Sequence, residues 1–322
     1  MTNSSDYLKD LYNDIFEINN YFYENQKKDG KTSIITKNQI HYYCHNENGS
    51  ANGLCKNYFE MASSGVIHLL KNLKNKYDLE DDKLAEYAIL WLSYKLYIKE
   101  NNTARNLNDF YDKYIVKNKC YNEKIKNNGS TTYKDIINRK KDLMDNNEIS
   151  KFDDPFGTLL TLYYVINQTY WKCTTYSDYP QKFVNQFNVL NNDPKNIEKS
   201  SYNKLLSRLS DDYKNLKKIY HDKVKSCNFP DLPPLSPQKS SVEKSVDSLG
   251  KGVEQTLVET PEGTSSSSSI LNTVIPGLST FAIPVFLGVA YKYSLFGIDK
   301  LFQRQHIKKK LKKTKKKMEL NI

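Results

Sequence analysis

The sequence has no phosphate-binding G-x-x-x-x-G-K-[ST] loop, no G-x-G-x-x-G, no G-x-S-x-G, no H-E-x-x-H and no C-x-x-C. These absences leave no residue to assign to phosphate cradling, acyl transfer, metalloprotease chemistry or dithiol exchange, so neither catalysis nor a cofactor is expected. No segment alternates apolar and polar residues with period two, so the expected fold is all-α. Met1 to Asp14 holds Asn, Ser, Asp and Lys and lacks the apolar stretch of roughly 7–15 residues of a secretory signal. Entry into the secretory route is therefore expected to rest on another segment. Four potential metal ligands, His41, Cys44, His45 and Cys55, lie close together, but the paired two-to-four-residue gaps of a structural zinc site are missing. No metal is expected.

Charge is also missing from one long run. Ile270 to Tyr291 is 22 residues without a charged side chain, and at about 1.5 Å per residue a helix of that length crosses a hydrocarbon layer of roughly 30 Å. Pro276, Gly277, Pro284 and Gly288 would weaken a soluble helix but are tolerated in lipid. Tyr291, Lys292 and Tyr293 stand where an interfacial aromatic belt with a basic anchor would sit. The lipid bilayer is thus an expected partner through a single span.

The net charge of +11 is concentrated behind that run: residues 292–322 hold eleven Lys/Arg against Asp299 and Glu319, and the rest of the chain balances 37 against 35. Lys308, Lys309, Lys310, Lys312, Lys313, Lys315, Lys316 and Lys317 form the densest part. Beside a span this cluster reads as a cytosolic anchor rather than a nucleic-acid site, because Lys and Arg near a span favour the cytoplasmic side. Residues 1–269 are then expected outside, or in a lumen continuous with the outside.

The first 229 residues read as a helical ectodomain. Apolar residues recur at three and four from Tyr7 to Phe22, from Phe59 to Tyr77, from Leu84 to Ile98 with Asp82 as cap, and from Leu107 to Ile115. Thr132 opens a fifth helix running through Tyr133, Ile136, Lys140 and Met144, with Asp135 placed to meet its free amides. Asp154-Pro155 reads as a cap with a first-turn proline, and the helix after it is apolar nearly all round, hence central. Phe183 to Leu190 make a short amphipathic element, and the stripe from Tyr202 to Val224 is the longest. Residues 230–269, rich in Pro and then Ser, cannot offset their ordering entropy by burial and read as a flexible stalk with a reach of roughly 35 Å. The span then takes 270–291 and a basic tail 292–322. The abundance of Tyr (25 residues), with Asn and Lys, matches the output of an A+T-rich genome.

All five cysteines, Cys44, Cys55, Cys120, Cys173 and Cys227, precede the span. An oxidising compartment favours pairing, and an odd number leaves one thiol over. Cys44 with Cys55 is the preferred pair, since His45 to Leu54 includes glycines that can turn the chain back; the sequence leaves the others open. His68 reads as a core-edge residue, and His221 and His306 as solvated. Asn3, Asn48, Asn101, Asn128 and Asn167 each begin an N-x-[ST] sequon, as an exposed domain permits.

Five stretches together carry a resemblance: Ile89 to Leu96, Asn108 to Ile115, Tyr202 to Tyr220, the serine run before the span, and Phe286 to Gln305. In them the chain resembles the Plasmodium interspersed repeat (pir) family, the Cir/Yir/Bir/Vir variant antigens of malaria parasites, from about Tyr42 to Lys317. It departs from the family near the amino terminus, where an early cysteine is missing. The resemblance implies a variant antigen displayed on the infected host cell or the parasite membrane, without catalytic residues, whose head contacts a host receptor or antibody. The competing reading is an adaptor at an internal membrane, acting through its tail on anionic lipid or a cytoskeletal partner. Arg105 to Asp109 matches the R-x-L-x-[DEQ] export motif of malaria parasites, but its place at an expected helix start marks it as a coincidence.

Overall fold

The structure is a computed structural model and describes residues 6–26, 31–44, 53–99, 106–126, 129–145, 148–167, 173–175, 177–225 and 227–239. Three long helices form the frame: α1 (Asp6–Asn19), α2 (Tyr58–Tyr77) and α3 (Asp81–Tyr97). Between α1 and α2 lie two short strands, β1 (Phe22–Gln26) and β2 (Thr32–Thr36), and a 3-10 turn, Asn38–Tyr43. Then follow α4 (Leu107–Phe110) with a π-helical turn, α5 (Tyr133–Asn138), α6 (Asp142–Asp145), α7 (Asp153–Asn167), α8 (Tyr179–Asn191), α9 (Ser201–Ile219) and α10 (His221–Val224).

Local signals set these helix ends. Asn57 caps α2 by accepting from the amides of Phe59 and Glu60, and α2 stops where Asp78 turns left-handed at φ 44°. Thr132 and Asp135 make a full capping box on α5. Pro155 sits in the first turn of α7, where no amide is needed.

The centre of the head is α3, buried from Leu84 to Leu96. It packs on α2 at a point where α2 is made of small residues, Ser63, Ser64 and Gly65. A Cβ on Gly65 would stand 2.3 Å from the Trp91 ring, so this glycine sets how closely the two helices approach. The abundant tyrosines supply cross-links: Tyr58 donates to the Lys95 carbonyl at 2.9 Å, Tyr121 to the Ser63 carbonyl at 2.8 Å and Tyr163 to the Asp212 carbonyl at 2.7 Å. Each joins elements far apart in sequence by satisfying a polar group that burial would otherwise leave unmet.

Charged side chains inside the head do the same. Lys95, fully buried, donates to the carbonyls of Asn19 and Phe22, both at 2.7 Å, with the Phe22 ring beneath it. It thereby caps the end of α1 and holds the start of β1. Glu86 on α3 meets Lys140 at 3.3 Å and Arg208 of α9 at 3.3 Å, and Lys140 also reaches Asp82 at 3.2 Å.

Asp212 of α9 accepts from the hydroxyls of Tyr12 and Tyr87, each at 2.7 Å. Burial outweighs these two donors and pushes its carboxyl from 3.8 up to about 6. The folded state therefore holds this proton more tightly than the unfolded chain does. The stabilisation is complete below about pH 4 and is lost as the pH rises through 6. Between pH 4 and pH 7 the protein is expected to lose on the order of 3 kcal/mol relative to an Asp212→Asn variant, whose amide does not titrate. Urea-unfolding midpoints across that range check this, and parallel pH profiles for the two proteins would refute it.

Three expectations need correction. First, the head is mostly helical, as expected, but not wholly so: β1 and β2 pair antiparallel, with Tyr23 opposite Ile35 and Glu24 opposite Ile34. Ile34 and Ile35 are both exposed, so the strand shows no alternation to read. Second, two helices break. The stripe through Lys140 and Met144 is cut after Asn138, where Lys140 turns inward to Glu86, and the longest stripe is cut at Tyr220. Third, residues 230–239 of the supposed stalk are strapped to the head. Tyr213 donates to the Pro230 carbonyl at 3.0 Å, Asn191 donates to the Pro234 carbonyl at 2.9 Å, and the Ser236 amide donates to the Asn191 side chain at 3.0 Å. Gln238 then exchanges backbone hydrogen bonds with Asn196 and Glu198 at 2.8 and 2.9 Å. Residues 240–269, the span 270–291 and the tail 292–322 lie outside the described residues.

Candidate functional site: a disulfide-framed aromatic face

The 3-10 turn Asn38–Tyr43 is pinned from below by fully buried Ile40 and closed behind by a disulfide between Cys44 and Cys55. His41 accepts the Cys55 amide at 3.1 Å, and the Gly53 amide donates to the Cys44 carbonyl at 3.0 Å. Residues 41–44 and 53–55 are thus held together by one covalent bond and two hydrogen bonds.

Around this closure aromatic rings gather on the outer side of α2. His68 donates Nε2–H to the Gln39 carbonyl at 2.7 Å. Its ring lies edge-on to Tyr21 and Tyr43, with centroids 5.4 and 4.7 Å away. Burial pulls its pKa below the usual histidine value, Lys71 adding to the effect and the Gln39 carbonyl opposing it. The imidazole is consequently neutral and acts as a packing surface. Lys71 donates to the Tyr43 hydroxyl at 3.0 Å, and Asn118 donates to the Tyr43 carbonyl at 2.9 Å.

Tyr43 is therefore locked, whereas Tyr42 beside it is 52% exposed and Leu54, next to Cys55, is 76% exposed. Ile34 and Ile35 of β2 are exposed as well. A backbone held by the disulfide and presenting a half-exposed tyrosine, its ring 6.1 Å from His68, with exposed aliphatic side chains has the composition of a protein-binding surface, where aromatic anchors supply most of the binding energy.

The other cysteines fall into two kinds. Cys173 and Cys227 are bonded to each other, and Cys120 is a buried free thiol. Burial, helped by the Glu123 charge, pushes the Cys120 thiol up to about 11, so it stays protonated and is a poor nucleophile. With Cys44 and Cys55 joined, neither sulfur is a thiolate for zinc, and among the described residues no group of three or more His, Cys, Asp or Glu could hold a metal ion. His45 lies outside the described residues.

In the match to the export motif, Leu107 is buried and Asn106 caps α4. Both are occupied in folding. Of the sequon asparagines, Asn167 ends α7, and Asn3, Asn48, Asn101 and Asn128 lie outside the described residues. So do Tyr291, Lys292, Tyr293 and the tail lysines Lys308, Lys309, Lys310, Lys312, Lys313, Lys315, Lys316 and Lys317. Among the described residues no helix is long and apolar enough to cross a membrane.

Tyr42, Leu54, Lys95, Glu86 and Asp212 did not emerge from the sequence as residues of note. Lys95, Glu86 and Asp212 derive their importance from contacts distant in sequence, and Tyr42 and Leu54 from their exposure.

Comparison with known proteins agrees with this architecture. No curated protein matches the chain. Among solved structures, one described as the structure of a Plasmodium PIR protein ectodomain is similar at 29% identity and a TM-score of 0.52, over 72% of this chain and 99% of that one. The family model described as Plasmodium variant antigen protein Cir/Yir/Bir matches residues 12–292. The chain belongs to the Plasmodium Cir/Yir/Bir variant antigen family.

Proposed function

We propose that this protein is a variant surface antigen whose helical head stands outside the membrane on residues 240–269, held by the span 270–291, with the basic tail in the cytosol. The observation that carries the reading is the distribution of cysteine chemistry. Two disulfides lie in the head, and no cysteine follows Cys227. Disulfides persist in oxidising surroundings, so the head belongs on the side away from the cytosol. The core that builds the family fold is internal, and the polar faces and the Tyr42–Leu54 face are free to differ between copies and to meet a host receptor or an antibody. No catalytic role is assigned.

Protease shaving of intact infected cells tests this, using one epitope after Met1 and another after Ile322. The amino-terminal epitope is expected to disappear while the carboxyl-terminal one survives. Survival of both would place the protein on an internal membrane and favour the adaptor that works through its lysine tail.

A further inference from the structure

Strand β2 is the outer strand of the hairpin, and four of its five residues, all but Ser33, are exposed. The Lys37 amide donates to the Tyr21 carbonyl at 2.7 Å, continuing the register that sets Thr36 opposite Phe22. The Phe22 carbonyl points the other way and accepts from Lys95 at 2.7 Å. Bonding direction alternates along an antiparallel strand. Ser33, Ile35 and Lys37 therefore turn their amides and carbonyls toward β1, and Thr32, Ile34 and Thr36 turn theirs to the open edge. The backbone groups of Ile34 and Thr36 have no backbone partner among the described residues.

Natural edge strands are guarded against pairing by proline, by a bulge or by charge within the strand. β2, Thr-Ser-Ile-Ile-Thr, has none of these, and its register with β1 is unbroken. Lysines stand only beyond its ends, and Lys37 is matched by Glu17 at 3.3 Å.

We propose that β2 pairs with β2 of a second copy of this chain, antiparallel about a two-fold axis at Ile34, so that two hairpins of two strands make one continuous sheet. The outward positions lie symmetrically about Ile34, which makes the edge its own complement, as a two-fold interface requires. Ile34 exchanges both backbone bonds with the second copy's Ile34, and Thr36 lies opposite its Thr32. Ser33 lies opposite Ile35, and no charge enters the seam. Lys31 comes opposite Lys37 at each end, where Glu17 offsets the repulsion. An axis at Thr32 or Thr36 would set most of β2 opposite residues beyond the strand. So short a seam falls below the roughly 1,000 Å² of a stable interface, and the pair is accordingly transient. This pairing is separate from host recognition and does not depend on it.

Hydrogen–deuterium exchange of the full chain in non-ionic detergent, read residue by residue, tests whether the edge is used. Protection of the Ile34 and Thr36 amides should rise with protein concentration, while that of Ser33 and Ile35, bonded to β1, stays constant. Fast exchange at every concentration would mean an edge left for a different protein. Slow exchange at every concentration would mean an edge covered by the chain itself. Either result overturns the proposal.

Oxidative cross-linking tests the register. Chains carrying Ser33→Cys and Ile35→Cys, each with its own epitope, are mixed and oxidised with copper–phenanthroline. In the proposed seam the two cysteines face each other as a non-hydrogen-bonded pair with Cα atoms about 4.5 Å apart, within disulfide reach. Each lies about 7–8 Å from its own counterpart, beyond that reach. The mixed product should form in several-fold excess over both self-linked ones. A statistical mixture, or an excess of self-linked product, would refute the register. Ile34→Pro in both chains removes only an outward amide, which an edge strand tolerates, and should abolish the excess at an unchanged melting temperature. Should the proline unfold the hairpin, Ile34→Lys decides, because it keeps the amide and sets two ammonium groups face to face. An excess that survives Ile34→Lys would overturn the pairing.

Discussion

Replacing Cys173 and Cys227 together by alanine is expected to lower the folding free energy by about 4 kcal/mol, the value that chain entropy gives for a loop of this length. The bond closes a separation of 54 residues, a stretch that holds α8, α9 and α10, whereas Cys44 and Cys55 are 11 apart and their removal should cost about 3 kcal/mol. Native contacts should change little, because α9 is held independently by Asp212, Arg208 and its buried leucines. The far-UV spectrum should accordingly keep its helical form while the denaturation midpoint falls. An unchanged midpoint would mean that the denatured chain is already as compact there as the bond makes it.

Glu86→Ala should be of similar size, about 3–5 kcal/mol, because it leaves a buried charge without its partner. Glu86 is 3% exposed and meets both Lys140 and Arg208. After the change buried Lys140 keeps only half-exposed Asp82, and Arg208 loses its carboxylate. The double variant Glu86→Leu with Lys140→Met removes both charges and should recover at least half of the loss, since apolar replacement of a buried pair is often neutral. Equilibrium unfolding of Glu86→Leu, Lys140→Met and the double forms the cycle. A loss under about 1 kcal/mol in Glu86→Ala would show that water reaches the pair.

The same residues explain what the sequence made legible. Helices α2, α3 and α9 were readable because their stripes repeat over many turns, and Thr132, Asp135 and Pro155 marked helix starts through chemistry local to a few residues. The hairpin was not legible. Its signal is the short Asp29-Gly30 pair between strands of five residues, and both isoleucines of β2 face outward. Lys95, Glu86, Lys140 and Asp212 were equally hidden, since a charged residue on a helix looks solvated until the partner that buries it is known. The partners of Asp212 are Tyr12, 200 residues away, and Tyr87, 125 away. The face around Tyr42 and Leu54 is opaque for the opposite reason, because exposure of a single apolar side chain depends on what fails to pack over it. The strap at 230–239 was masked by its own prolines. They bar helix and sheet but leave carbonyls free to accept from Asn191 and Tyr213.

That strap also decides how the head yields to a pull on its carboxyl end. Tension arriving from residue 240 meets first the two backbone bonds of Gln238, then the pair at Asn191, then Tyr213 on Pro230. These are loaded one after another, so they unzip at low force. Residues 228–239 are then a free segment whose full extension is about 40 Å, at roughly 3.3–3.6 Å per residue. At Cys227 the peeling stops, because the covalent bond to Cys173 passes the load directly to the chain ahead of α8 and α9 is bypassed. The strap can thus come free under a pull while the helices closed off by the Cys173–Cys227 bond stay folded.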